Sequence, residues 1–159
     1  MLTFNEFGLL TPAQGFTVTL NNLYDEFVRP FPASETRENL FREWAKYNQM
    51  LRQEIGVEFT QWVNGSFVTK KLNPKDVDVV SFIPSHLSRN FKKRLDYYWS
   101  DSWEREGIDA YLVEIFPDDD YRYPDFRVAL TKWYQLYTRT KASGTPPDAL
   151  KGFLIINIS

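Results

Sequence analysis

Asn64 to Val80 reads NGSFVTKKLNPKDVDVV, and the fold turns on this stretch. An apolar run with alternating polar residues, Val57 to Val63 (VEFTQWV), ends at Gly65 and Ser66. A loop carrying Lys70, Lys71 and Lys75 follows, and a second apolar run opens with aspartates alternating with valines, Asp76 to Ile83 (DVDVVSFI). The β-branched and aromatic content of both runs predicts two strands joined by the loop. Side chains alternate along a strand, so Asp76 and Asp78 share one face while Val77 and Val79 take the other. Two carboxylates so close repel, and keeping both ionised needs a compensating charge.

Working outward, the flanking segments predict helices. On the N-terminal side an irregular apolar arm leads into a short helix at about Thr19 to Val28, broken by Pro30 and Pro32. Leu40, Phe41, Trp44, Tyr47, Leu51 and Ile55 recur at helical spacing and predict a helix over about Glu35 to Glu54, with Arg37, Glu38, Arg42, Glu43 and Arg52 on its other sides. Ser34 is placed to cap that helix and Gly56 to end it. On the C-terminal side a helix is expected from about Ser85 to Gly107, a strand at Ile108 to Phe116, a helix at about Asp125 to Thr140 and a strand at Phe153 to Ile158. The order implies an α/β or α+β fold, a mixed sheet of about four strands packed against helices. It reads as one domain over 1–159, with a helical N-terminal arm, 1–56, and a sheet-containing core, 57–159.

Composition limits the chemistry. With 43% hydrophobic and 17% aromatic residues in 159, the chain can fill one core. A net charge of -2 gives no global basic field, so contact with a polyanion has to be local. No cysteine is present, which removes disulfides and thiolate metal sites, and the single His86 leaves no histidine-rich zinc site. Glu6 stands where a secretory signal needs positive charge, and no run approaches the roughly 20 apolar residues of a membrane span. A soluble, cytoplasmic protein without a membrane partner is expected.

A divalent cation is the strongest compensator for Asp76 and Asp78, and magnesium takes oxygen ligands from one or two carboxylates plus water and phosphate. A third carboxylate would come from the strand GIDAYLVEI, where Asp109 and Glu114 lie an odd number apart and face opposite ways, so only one can join. Asp109, beside Gly107 where the strand emerges, is the first choice and Glu114 the reserve. Gly65 lets a backbone approach a phosphate closely, and the Ser66 hydroxyl with neighbouring N–H groups can hold its oxygens. Lys75, with Lys70 and Lys71, adds positive charge in the same loop.

An apolar residue followed by Gly-Ser, about ten residues, then Asp-apolar-Asp-apolar resembles the motif of the nucleotidyltransferase superfamily related to polymerase beta and kanamycin nucleotidyltransferase. Here it stands as Val63, Gly65, Ser66, Asp76, Val77, Asp78 and Val79. With the leading FNEFGLL arm and the closing KGFLIINI, most of the chain resembles a family of small, mostly uncharacterised bacterial proteins with a minimal nucleotidyltransferase-like domain. The resemblance implies a minimal nucleotidyltransferase fold and two magnesium ions, or manganese, held by Asp76, Asp78 and Asp109. It further implies a nucleoside triphosphate such as ATP at Gly65 and Ser66, and transfer of a nucleoside monophosphate to a hydroxyl of a protein, an RNA end or a small molecule. A bacterial toxin–antitoxin or defence module, with a possible partner protein, is the setting it implies. No segment supplies an extra acceptor-binding domain.

Other readings stand beside these. Asp76 and Asp78 could form a polar strand entrance satisfied by Lys70, Lys71 or Lys75, and the fold could serve as a non-catalytic binding or regulatory module. Asp118 to Asp120 lack the spacing of a calcium loop and read as a solvated turn. His86 reads as a helix-start residue. The cluster RNFKKR, Arg89 to Arg94, with Tyr97, Tyr98, Trp99 and Trp103, has the elements of a single-strand nucleic-acid contact, diluted by Asp96, Asp101, Glu104 and Glu106.

Overall fold

The structure is a computed structural model and describes residues 2–88, 106–144 and 146–159. The helix expected from Ser85 begins with residues 85–88; its remainder, with the basic and aromatic cluster from Arg89 to Trp103, lies outside the described residues. In chain order come β1 (Thr3–Phe4), β2 (Leu10–Thr11), β3 (Gly15–Thr17), α1 (Leu20–Phe27), α2 (Arg37–Ile55), β4 (Phe59–Asn64), a 3-10 turn (Ser66–Val68), β5 (Val77–Pro84), β6 (Ile108–Ile115), α3 (Tyr123–Tyr137) and β7 (Phe153–Ile158). Strands β1 and β2 make a small antiparallel ribbon. The main sheet has the order β3-β7-β4-β5-β6, so the fold is mixed α+β as expected. Its fifth strand is β3, from the arm that reads as irregular. Three residues, one a glycine, carry too little strand preference to be seen alone, and parallel pairing of Gly15 with Phe153 supplies the order. Strand β4 runs antiparallel to β7 and β5, and β5 runs parallel to β6.

Local chemistry sets the helix ends. The Thr19 hydroxyl accepts from the Asn22 N–H at 3.1 Å while Asn22 Oδ1 accepts from the Thr19 N–H at 3.2 Å, a reciprocal cap for α1. The N-cap of α2 is Thr36 and not the expected Ser34; Ser34, two residues earlier, still supports the helix start, its Oγ accepting from the N–H groups of Thr36 and Arg37 at 3.3 and 3.2 Å. Gly56 closes α2 in the left-handed region at φ 76°.

The sheet is covered on both faces. Phe59 and Val63 of β4, Val77, Val79 and Ile83 of β5, Ile108 of β6 and Leu154, Ile156 and Ile158 of β7 pack with Leu23, Phe27, Leu40, Trp44, Tyr47, Leu51 and Ile55 of α1 and α2. On the other face Trp62, Val80, Phe82, Val113 and Phe153 pack with Phe126, Ala129, Leu130, Trp133 and Tyr137 of α3. Among the described residues no helix is long and apolar enough to cross a membrane.

Arg37 departs from the sequence reading. Its charge suggests a solvated side of α2, yet it is 1% exposed. Nη1 donates to the carbonyls of Phe27 and Phe67, both at 2.7 Å; Nη2 donates to those of Thr69, at 2.8 Å, and Lys71; and Nε donates to Lys71 at 3.2 Å. The Phe31 ring lies 4.0 Å from the guanidinium. Burial lowers its pKa to about 10, so it stays charged at neutral pH. One side chain thus ties the end of α1 to the turn after Gly65. Replacing Arg37 with Leu leaves these carbonyls buried without donors and should destabilise the fold by about 3 kcal/mol or more in urea unfolding. Arg37→Lys should recover only part of that, because one ammonium cannot reproduce the fork.

Candidate functional site

Sheet register builds the site. Asn64, the last residue of β4, pairs with Asp78 of β5, which pairs with Asp109 of β6. The three side chains form one row across three strands, neighbours about 5 Å apart on the face that α3 covers. Asp76, just ahead of β5, has the parity of Asp78. Apart from Ser81, whose hydroxyl accepts from Gln61 Nε2 at 2.8 Å, the rest of β5 is apolar on both faces, because the strand is covered on both sides. Its first turn of pleat carries the carboxylates because there the row meets a cleft.

The glycine of the Gly-Ser pair has a steric cause. At Gly65 φ is 80°, and a Cβ there would lie 1.9 Å from Asp78 Oδ2. Only a residue without a side chain lets the carboxylate lie over the turn. Ser66 opens the 3-10 turn, and the Thr69 hydroxyl donates to its carbonyl at 2.8 Å.

A cleft of about 1850 Å³ lies over the row. Gly65, Ser66, Asp76, Asp78 and Asp109 line it, so it gathers most of the expected site. The β1–β2 connection forms one wall, where the Lys70 N–H donates to the Gly8 carbonyl at 2.9 Å. The end of α3 and the segment after it form another. Lys70, Lys71, Lys132, Arg139, Lys141 and Lys151 line the cleft against Glu6, Asp76, Asp78, Asp109 and Asp148. A chain of net charge -2 therefore places six cations beside five carboxylates in one place.

Two expected residues lie elsewhere. Lys75 is exposed and does not line the cleft. Glu114 sits on the opposite face of β6 from Asp109, as their odd separation requires, and accepts a hydrogen bond from Ser88 Oγ. His86 is exposed at the start of its helix. Asp120 in the acidic turn holds Arg122, with its Oδ2 2.8 Å from Nη2.

Three residues that sequence reading passes over complete the site. Lys151 is 7% exposed, and burial lowers its pKa to about 8 against the opposing pull of Asp78. Tyr137 is buried with its hydroxyl unpartnered; burial first, then the charges of Asp78 and Asp109, hold it protonated far above the ordinary tyrosine range. Asn64 is 5% exposed; its Nδ2 donates to the Tyr137 carbonyl at 3.4 Å and its Oδ1 has no partner. Asn64 was visible in one respect: it directly precedes Gly65 and shares the row's face.

Burial, then the charge of Asp76, raise the Asp78 pKa to about 6; Asp109 adds to the rise and Lys141 and Lys151 oppose it. Among the described residues no group of three histidine, cysteine or acidic side chains stands at full metal-ligating spacing. Asp76, Asp78 and Asp109 nevertheless bring carboxylate oxygens to a common face, the donor chemistry that a hard divalent cation takes.

The family model described as "Family of unknown function (DUF6932)" matches residues 2–157, so the chain belongs to that family. No curated protein matches it. Neither does any solved structure.

The burial of Asp78, with the carboxylates beside it, has a measurable consequence. Asp78 binds its proton more tightly in the folded state, at about 6, than at its ordinary value of 3.8, so stability falls as pH rises through that window. Asp78→Asn removes the ionisation and should raise the melting temperature at pH 7.5 by a few degrees. The gain should shrink as the pH is lowered below about 6 in calorimetric scans.

Proposed function

We propose that this member of the family is a metal-dependent nucleotidyltransferase, transferring a nucleoside monophosphate from a nucleoside triphosphate to a hydroxyl acceptor. The observation that carries the reading is the register: Asp78 opposite Asp109, beside a Gly65–Ser66 turn that Asp78 itself overlies, under a cleft lined by cations. Sequence adjacency accounts for the Asp76–Asp78 pair alone. The third carboxylate arrives through pairing of separate strands, which a merely polar strand entrance does not require.

Asp76, Asp78 and Asp109 would hold magnesium or manganese, which when bound supplies Lewis-acid polarisation and charge neutralisation at the phosphoryl oxygens. Ser66 and the main chain at Gly65 would hold the outer phosphates, with Lys70, Lys71, Lys141 and Lys151 offsetting their charge. The acceptor oxygen attacks the α-phosphorus in line: its bond to phosphorus forms as the α–β phosphoanhydride bond breaks, and pyrophosphate leaves toward the Gly65–Ser66 side. Asp109, at the far end of the row from that turn, is placed to take the hydroxyl proton. Tyr137, held protonated, does not serve as the base. The cytoplasm, where triphosphates and magnesium are abundant, is the proposed compartment.

The test is a label-transfer screen of the four nucleoside triphosphates with magnesium or manganese, using lysate as the acceptor source. Wild-type protein should label an acceptor, and a variant carrying Asp76→Ala and Asp78→Ala should lose that labelling by at least 100-fold while keeping its circular dichroism spectrum. Calorimetry that finds neither triphosphate nor magnesium binding to the wild type would sink the proposal.

A further inference from the structure

Among the described residues three charged side chains are buried, Arg37, Glu43 and Lys151. Arg37 donates to four carbonyls, and Glu43 accepts from Lys46 at 2.9 Å. The Lys151 ammonium enters no hydrogen bond and no ion pair with any described residue, and the charge of Asp78 reaches it only from beyond ion-pair distance. Burying a charge without such a partner is costly. Lys151 also lines the cleft, where its three N–H donors are left for a ligand.

Main-chain contacts fix where this lysine stands. Its N–H donates to the Thr138 carbonyl at the end of α3 at 3.0 Å, and the Gly152 N–H donates to the Leu10 carbonyl of β2 at 2.7 Å. A Cβ at Gly152 would lie 2.5 Å from the Phe16 ring and 2.9 Å from the Pro12 carbonyl oxygen, so a glycine lets the chain pass there. Strand β7 pairs antiparallel with β4, Leu154 opposite Val63. Followed three residues further, that register runs back to Lys151 on one side and on to Ser66 on the other. The Gly65–Ser66 turn is thus flanked by Asp78 on the β5 side and by Lys151 on the β7 side. The neighbouring lysines differ: Lys70, Lys71 and Lys141 are exposed, and the Lys70 ammonium lies 4.0 Å from the Phe4 ring centroid. Charges in water are screened, whereas a buried one acts through a lower dielectric.

We propose that Lys151 is a catalytic residue of the transfer, its ammonium donating to the β-phosphate of the nucleotide and holding the pyrophosphate as it leaves. This rests on the nucleotidyltransferase reading and gives one cation of the cleft a role that the exposed ones lack. As the acceptor oxygen closes on the α-phosphorus, the α–β phosphoanhydride bond breaks and its electron pair stays on the bridging oxygen of the pyrophosphate. That charge grows toward the Gly65–Ser66 turn, which Lys151 flanks. The ammonium keeps its proton and meets the charge with donors already in place, so none has to reorient at the moment of reaction. The same contact offsets the cost of burying the ammonium.

Inorganic tripolyphosphate is the probe, since it carries the phosphates without sugar or base. In titration calorimetry with magnesium, Lys151→Met should weaken its binding by at least about 10-fold, while Lys75→Met, which removes an exposed charge outside the cleft, should change it by less than about 2-fold. Without ligand, Lys151→Met should melt a few degrees above the wild type, because it removes a buried charge that has no partner. A variant that melts lower, or does not fold, marks a structural lysine and overturns the proposal. In label transfer at saturating triphosphate, kcat of Lys151→Met should fall by about 100-fold or more. A change confined to KM marks charge attraction alone and overturns the catalytic role. Equal tripolyphosphate binding by wild type and Lys151→Met overturns it too and leaves the transferase reading standing. A wild type that binds tripolyphosphate but labels no acceptor overturns that reading, and the role in transfer with it.

Discussion

A single buried guanidinium holds the working part of this molecule in shape. Arg37 draws the carbonyls of Phe67, Thr69 and Lys71 inward and joins them to the end of α1 through Phe27. The turn after Gly65 has little regular structure of its own, so its conformation depends on this external clamp. Carbonyl oxygens pulled toward Arg37 are also oxygens removed from the side a phosphate would meet.

The site concentrates opposite tendencies on the same few residues. Asp78 is half-buried and close to like charge, both of which oppose ionisation, while Lys141 and Lys151 favour it. Burial lowers the pKa of Lys151, and the charge of Asp78 opposes that fall. Each group is costly alone and tolerable together, and such coupled strain is characteristic of places where a ligand completes the charge balance. The unpartnered Asn64 Oδ1 and Tyr137 hydroxyl in the same lining belong to this pattern.

How much of this could be read in the residues depended on whether the information was local. The Gly65–Ser66 and Asp76–Asp78 pairs stand out by their spacing and α2 by its apolar period, while parity separates Asp109 from Glu114 and only the place of Asp109 beside Gly107, where the strand emerges, favours it. Arg37 did not stand out, since a charged side chain at a helix start reads as solvated, and only tertiary packing delivers carbonyls to it. Lys151 and Tyr137 were hidden for the same reason: a lysine ahead of an apolar strand and a tyrosine on a helix look ordinary until β7 and α3 converge on the carboxylates. β3 was missed because its order is borrowed from β7, and Lys75, close in sequence to Asp76, lies outside the cleft although the loop's charge drew attention to it.

The parallel pairing of β3 with β7 joins Gly15 to Phe153, and β7 in turn lies between β3 and β4. The sheet that carries the carboxylate row is thus closed by contacts between residues far apart along the chain, whose loop-closure entropy has to be met before any of them is rewarded. Long-range pairing of this kind slows folding relative to a fold of local contacts. The acidic row and the glycine turn lie on β4, β5 and β6, whereas the most distant pairing, β3 with β7, closes the opposite edge of the same sheet.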